Sequence, residues 1–322
     1  MKITQLHTAV KRLSLRIYIY ILAALFLFAA CDRKEKTVAD KPQVITTTTI
    51  IADIVKNVGG DFVEVRSLMG PNIDPHQYKA SEGDILKIAG ADAIFHNGLN
   101  LEGKFGEVLK KAENVVPSYA VTSSIPKIDL ILGEGAADPH VWFDIKTWVR
   151  AVSVVADGLV KIDPVNTIHY RRNEERYIEI LLLFDKTLLE KLSAVPEEKR
   201  ILVTSHDAFA YFGRAYGWKV VGVQGINTAS ETSVNTIQRL AQNIVEEKVT
   251  CIFTETSVSP RSITALTASV NALGSSLNIG LPLYSDTLGP PEGPAGTYMG
   301  MMEYNVDAIV AGILGENGVA EE

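Results

Sequence analysis

Short runs of β-branched and apolar residues alternate with segments of helical period along most of the chain. Predicted strands cover residues 44–49, 64–68 and 93–96 in the first half, and 201–205, 219–223, 251–255 and 281–285 in the second. Predicted helices follow them, at 50–58, 80–89, 103–112 and 145–160 in the first half. Such alternation predicts an α/β fold with parallel sheets. We expect two lobes of the (βα)4 type, at residues 43–162 and 195–322.

Residues 163–194, between the two predicted lobes, have a different pattern. Apolar residues recur there at spacings of four, three, four and four, which marks one face of a helix. They are Tyr177, Leu181, Phe184, Leu188 and Leu192. A helix of about 27 residues within this range would run roughly 40 Å, longer than a crossover helix needs. We interpret it as one rigid helix joining the lobes. The alternative is a helix-loop-helix inside one domain.

The N-terminal residues indicate the cellular compartment in which the protein works. Residues 1–30 combine an apolar run over 17–30 with four basic residues and no acid, as in a signal peptide. The basic residues are Lys2, Lys11, Arg12 and Arg16. The ending Phe28-Ala-Ala-Cys31 resembles the lipobox of bacterial lipoproteins, which implies a lipid on Cys31 and a membrane tether over 31–42. The alternatives are an uncleaved anchor or an ordinary secretory signal. Each of these places the protein outside the cytoplasm, in the periplasm or on the outer face of the cell membrane.

Charge and cysteine content exclude some classes of function. Without residues 1–30, Lys+Arg falls from 31 to 27 against 38 Asp+Glu, so the mature chain is acidic. Nucleic acid is therefore not an expected partner. If Cys31 carries lipid, Cys251 has no cysteine with which to pair inside the chain. Cys251 lies in a predicted strand, and we expect it to act as a small buried hydrophobic residue.

The tripeptide Asp-Pro-His occurs twice, at residues 74–76 and 138–140. Proline fixes its own φ and pushes the preceding aspartate towards an extended conformation, so each histidine follows a stiff corner. Both tripeptides lie in loops next to predicted strands or helices, where ligand-binding residues of α/β proteins collect. Each motif is weak evidence alone, because a histidine in a loop is more often a surface residue. Asp144 is the expected N-cap of the helix that starts at Ile145.

Two further residues with metal-ligand side chains follow strands of the second lobe. His206 directly follows the predicted strand 201–205, and Asp286 directly follows the last one, 281–285. Together with His76 and His140 they place two candidates from each lobe at the carboxyl ends of strands. In open α/β sheets this edge forms the binding crevice. We therefore expect the four side chains to meet in the cleft between the lobes.

Three imidazoles and one carboxylate suit a borderline divalent cation, Zn²⁺ or Mn²⁺, with Fe²⁺ possible. Ca²⁺ and Mg²⁺ prefer shells made of oxygen atoms only. Glu255, at the end of another predicted strand, is the candidate acceptor for the second nitrogen of a ligating imidazole. Because an imidazole must be neutral to bind a metal, we expect acid to weaken binding.

Four stretches carry a specific resemblance. They are Gly-Pro-Asn-Ile-Asp-Pro-His-Gln-Tyr at 70–78, Asp-Pro-His-Val-Trp at 138–142, Thr-Ser-His-Asp-Ala-Phe-Ala-Tyr-Phe at 204–212 and Tyr-Ser-Asp-Thr-Leu at 284–288. The whole mature chain resembles the metal-binding receptors of bacterial zinc/manganese ABC importers, the TroA-like or cluster A-I solute-binding proteins. The resemblance implies that His76, His140, His206 and Asp286 are the ligands. It also implies that a membrane permease and its cytoplasmic ATPase are the partners.

Two departures from the family's patterns leave the metal open. Manganese-selective members usually have Glu at the position of His206, and many zinc-specific members carry a histidine- and acid-rich loop before the second ligand. Residues 121–137 contain no histidine and two acids, Asp129 and Glu134. We expect a monomer that is not an enzyme. The alternative functions are a zinc-dependent hydrolase, or a surface adhesin or structural lipoprotein with an incidental metal.

Overall fold

The computed structural model describes residues 41–133 and 135–315. The predicted signal peptide, the lipidation site Cys31 and nearly all of the predicted tether lie outside them. Eight strands are described: β1 Gln43–Thr46, β2 Glu64–Ser67, β3 Ala93–His96, β4 Ser118–Ala120, β5 Ile201–His206, β6 Lys219–Gln224, β7 Cys251–Glu255 and β8 Asn278–Leu283. The α-helices are α1 Thr49–Gly59, α2 Glu82–Ala89, α3 Gly106–Ala112, α4 Ile145–Ile162, α5 Thr167–Leu192, α6 Ala210–Tyr216, α7 Val234–Glu246, α8 Arg261–Ala272 and α9 Tyr298–Leu314.

The first four strands form one parallel sheet in the order β2-β1-β3-β4. Val44 of β1 pairs with Val65 of β2 on one side and with Ala93 of β3 on the other. The pattern of apolar residues predicted β1, β2 and β3. It did not predict β4, because a strand of three half-buried residues leaves no periodic pattern in the sequence.

The second set of strands forms two parallel pairs, β5-β6 and β7-β8, with β5 beside β7. The carboxyl ends of β5 and β7 are joined by a side chain, since the backbone N–H of His206 donates to Glu255 Oε1 at 2.9 Å. The last strand lies earlier than its predicted position, ending at Leu283. Two sets of parallel strands with helices between them confirm the predicted α/β class.

One long helix, α5, connects the two sets of strands, and the alternative of a helix-loop-helix is wrong. The predicted apolar face is its buried face, with Tyr170 added to the five predicted residues. The helix packs against α4, α1 and α9, so it contacts elements on both sides. The Tyr177 hydroxyl donates to Asp53 of α1 at 2.9 Å, and Asp185 accepts from the Tyr216 hydroxyl of α6 at 2.9 Å.

The main hydrophobic core is continuous through the interior and includes residues from both sets of strands. Two smaller apolar clusters lie elsewhere, one around Met69 and Phe105 and one around Ile252 and Leu266. Cys251 belongs to the main core and is 2% exposed, as expected for a small hydrophobic residue. Among the described helices, none is both long and apolar enough to cross a membrane.

Candidate metal centre

Both Asp-Pro-His corners are stabilised in the same way. The side chain of Asp74 accepts the backbone N–H of His76 at 2.8 Å, and Asp138 accepts that of His140 at 2.9 Å. This Asx-type contact turns the chain after the proline and aims the imidazole inwards. Asp144 then caps α4 by accepting the N–H of Thr147 at 3.2 Å, as predicted.

The other two candidates come from the second set of strands. His206 is the last residue of β5, and its side chain is completely buried. Asp286 lies three residues beyond β8, so it belongs to a loop and does not end a strand. Its position is fixed from both sides, because Ser257 donates to Asp286 Oδ2 at 3.2 Å and the Trp142 indole N–H donates to the Ser285 carbonyl at 2.9 Å.

The four predicted residues meet at one buried point. Their ligand atoms all lie within 4.8 Å of one another. Nε2 of His140 is 3.2 Å from Nε2 of His76, 3.4 Å from Nε2 of His206 and 3.4 Å from Oδ1 of Asp286. Nε2 of His206 is 3.6 Å from the same oxygen. A tetrahedral ion with bonds of about 2.0–2.2 Å separates its ligands by about 3.3–3.6 Å. These four separations are close to the values for one tetrahedral cation, and all four candidate ligand atoms lie near enough to one another to face a single ion.

Two of the imidazoles are oriented by buried carboxylates. Nδ1 of His140 is 2.7 Å from Asp138 Oδ1, and Nδ1 of His206 is 2.5 Å from Glu255 Oε2. Since an ionised carboxylate can only accept, Nδ1 carries the proton and Nε2 faces the centre. Glu255 was expected near a ligating imidazole. The contact of Asp138 with the ring of His140 was not expected, although its position two residues before the histidine is a signal for it.

The charges around each imidazole set its pKa. Burial acts to lower the pKa of His140, but the charge of Asp138 and its hydrogen bond outweigh this and raise the pKa to about 9. Burial likewise opposes protonation of His206, and the charges of Glu255 and Asp286 raise its pKa well above the usual range. Burial lowers the pKa of His76 to about 4. The neighbouring carboxylates therefore favour the charged forms of His140 and His206, whereas burial favours the neutral form of His76.

Asp286 completes the donor set. Burial alone would raise its pKa, but the neighbouring His206 and His140 hold the pKa well below the usual range, so the carboxylate is ionised. Its Oδ1 is buried and has no hydrogen-bond partner among the described residues. An ionised oxygen of this kind is costly unless a cation or a proton faces it. Three nitrogen atoms and this oxygen can hold one borderline divalent ion.

Two other histidines lie outside the centre. His96 ends β3, and it is not a member of the cluster of ligand atoms. His169 of α5 stacks on Phe62 with ring centroids 4.3 Å apart and is half-buried. Neither residue contributes to metal binding in this arrangement.

Comparisons of the sequence and the structure with known proteins show which family the chain belongs to. Residues 44–312 match the family model described as zinc-uptake complex component A, periplasmic. The chain belongs to this family. It is 42% identical to the manganese-binding lipoprotein MntA of Bacillus subtilis (strain 168) over 293 residues, covering 90% of this chain and 96% of that protein. It is also 42% identical to the zinc-binding protein TroA of Treponema pallidum, covering 88% and 92%. The solved structure of that periplasmic zinc-binding protein superposes with a TM-score of 0.83, covering 85% of this chain and 99% of that one.

Proposed function

We propose that this protein is an extracytoplasmic receptor that captures Zn²⁺ or Mn²⁺ and delivers it to an ABC importer. The observation that carries the proposal is the buried cluster of three imidazole nitrogens and one carboxylate oxygen, at separations that fit one ion. His76, His140, His206 and Asp286 are the ligands in this proposal. The cargo reaches the cytoplasm through a permease driven by a cytoplasmic ATPase.

The identity of the cargo is a separate part of the proposal. One of the two relatives is described as manganese-binding and the other as zinc-binding. Three nitrogen donors with one oxygen favour Zn²⁺ in tetrahedral geometry, whereas a second bond from Asp286 would widen the shell for Mn²⁺. Fe²⁺ has similar ligand preferences. Zn²⁺ also binds such sites more tightly than Mn²⁺, so the metal found after purification does not identify the cargo.

The geometry favours a receptor over an enzyme. Catalytic zinc sites keep one position open for water or substrate. Here four candidate ligands face one buried point, and their exposure is 2% for His76 and 0% for the other three. We therefore propose that the centre holds its ion closed and has no hydrolytic activity.

The proposal also includes how the protein is attached to the membrane and how its chain is divided into lobes. A lipid on Cys31 anchors the mature chain, residues 31–42 form the tether, and the protein works as a monomer. Residues 43–162 and 195–322 act as two lobes joined by the helical segment 163–194. The positions of the candidate ligands support this division, because two lie on each side of α5.

Competitive titration of the metal-free protein with Zn²⁺ and Mn²⁺, paired with metal uptake by cells that carry or lack the gene, tests the proposal. We expect one ion per chain and loss of uptake under metal limitation when His140→Ala replaces the native protein. His96→Ala is the matched control, since His96 lies outside the cluster. Normal uptake with His140→Ala would overturn the transport function. If adhesion alone changed in the strain without the gene, a surface adhesin would be the better assignment.

A further inference from the structure

The four candidate ligands are not held equally. His140 and His206 each have a carboxylate at Nδ1, whereas the ring of His76 has none among the described residues. His76 is also the one of the four that lines a cavity of about 700 Å³, which lies beside the centre. His76 is therefore the least anchored ligand and the one next to open space. If the centre carries metal as proposed, the ion enters and leaves past His76.

A segment of the second set of elements closes one side of this cavity. Residues 225–233, between β6 and α7, form neither helix nor strand and are mostly exposed. Ile226 and Thr232 are half-buried, and Thr228 is the one buried residue of the segment, with an exposure of 7%. Ile226 of the same segment lies against Gly133, where an added Cβ would be 2.5 Å from Cδ1 of Ile226. The segment therefore spans from the second set of elements to the first.

Thr228 is buried because it reaches the corner that carries His76. Its hydroxyl donates to Asp74 Oδ2 at 2.5 Å, and the Gln77 side-chain amide donates to the same oxygen at 2.9 Å. The other oxygen of Asp74 accepts the backbone N–H of His76. One carboxylate thus connects the Thr228 segment on one side of the cleft with the backbone of a candidate ligand on the other.

We propose that Thr228 is a positioning residue that latches the cleft over the metal. Its hydrogen bond to Asp74 holds the segment 225–233 in place and fixes the Asp74 corner, which sets the direction of His76. Hydrogen bonds to charged groups are stronger than those between neutral groups, so a single hydroxyl is enough for a measurable effect. Among the described residues, breaking the bond leaves Thr228 only the longer hydrogen bond to this corner, from the Gln77 amide to the Thr228 carbonyl at 3.4 Å. It therefore loosens the side of the centre that faces the cavity and leaves the anchored His140 and His206 unchanged.

Release of Zn²⁺ from the full chain to an excess of a chromogenic chelator, followed by stopped flow, tests this latch. Thr228→Val keeps the shape and removes the hydroxyl, and we expect zinc to dissociate about tenfold faster or more. Thr228→Ser keeps the hydroxyl and should restore the rate to within about twofold of the native value. The matched control is Thr232→Val in the same segment, because the Thr232 hydroxyl donates to Val223 on its own side of the cleft at 2.9 Å.

Equal dissociation rates for the native protein and Thr228→Val would overturn the latch, as would equal acceleration by Thr228→Val and Thr232→Val. Zinc stoichiometry is measured on the same samples. Absence of zinc binding by the native chain would instead reject the proposed function, so the two failures are distinguishable. If Thr228→Val does not fold, Thr228→Ala takes its place with the same expected acceleration and the same rescue by serine.

Discussion

Replacing Glu255 by glutamine tests whether metal ions and protons compete for the candidate ligands. Both side-chain oxygens of Glu255 contact His206, one at Nδ1 and one at the backbone N–H, and the side chain is fully buried. Glutamine keeps the size but removes one of the two charges that raise the pKa of His206, while the charge of Asp286 remains. Loss of such a partner weakens metal affinity about 10–100-fold. The protonation of the metal-free site should change at the same time.

The pKa of each of the three histidines indicates how many protons metal binding should release. At pH 7, His140, with a pKa of about 9, must lose a proton before it binds metal, which costs about 3 kcal/mol or a factor of about 100 in affinity. His206 must also lose one, because its pKa lies well above the usual range. His76, with a pKa of about 4, is already neutral. Metal binding should therefore release about two protons from the native protein and fewer from Glu255→Gln, in which only Asp286 still raises the pKa of His206.

Calorimetric titration with Zn²⁺ in buffers of different ionisation enthalpy counts these protons directly. A pH series of competitive titrations gives the same number as the slope of log Kd, so the affinities of the native and variant proteins should converge as pH falls. Asp185→Asn is the control, since Asp185 is a buried carboxylate that accepts from Tyr216 away from the centre. Release of as many protons by Glu255→Gln as by the native protein would refute the role given to Glu255, as would an equal reduction in Asp185→Asn.

Three further predictions concern stability. The folded pKa of His140 exceeds its unfolded value of about 6.5, so its contribution is complete below that pH and is lost as pH rises through about 9. In the presence of a metal chelator, the free energy of unfolding measured with urea should therefore fall by about 3 kcal/mol through His140 alone as the pH rises from about 6.5 to about 9. Zinc at about a thousand times its Kd should add about 4 kcal/mol, seen as a Tm increase of about 10 °C. Leu181→Ala should cost about 2–5 kcal/mol in urea unfolding because Leu181 is fully buried in α5, whereas Leu183→Ala, at a side chain 65% exposed, should cost less than about 1 kcal/mol.

The sequence predicted most of the helices and strands and the four candidate ligands. Apolar spacing along α5 predicted five residues of its buried face, because a helix of fixed period must turn the same face to its neighbours. The repeated Asp-Pro-His predicted two stiff corners, since proline restricts the backbone locally. These features depend only on neighbouring residues, so a linear pattern can carry them. Resemblance to a family was needed to select Asp286, whose own surroundings look like an ordinary turn.

The tertiary structure decided what the linear pattern could not. It brings Nε2 of His140 within 3.4 Å of Oδ1 of Asp286, which is 146 positions away in the sequence. It places Asp138 against the ring of His140 and brings the Thr228 hydroxyl to the carboxylate of Asp74 across the cleft. It also sets the order of the pKa values, because burial and neighbouring charges act on each imidazole through distances in space. Contacts between distant segments follow no period, so only the folded chain defines which atoms meet.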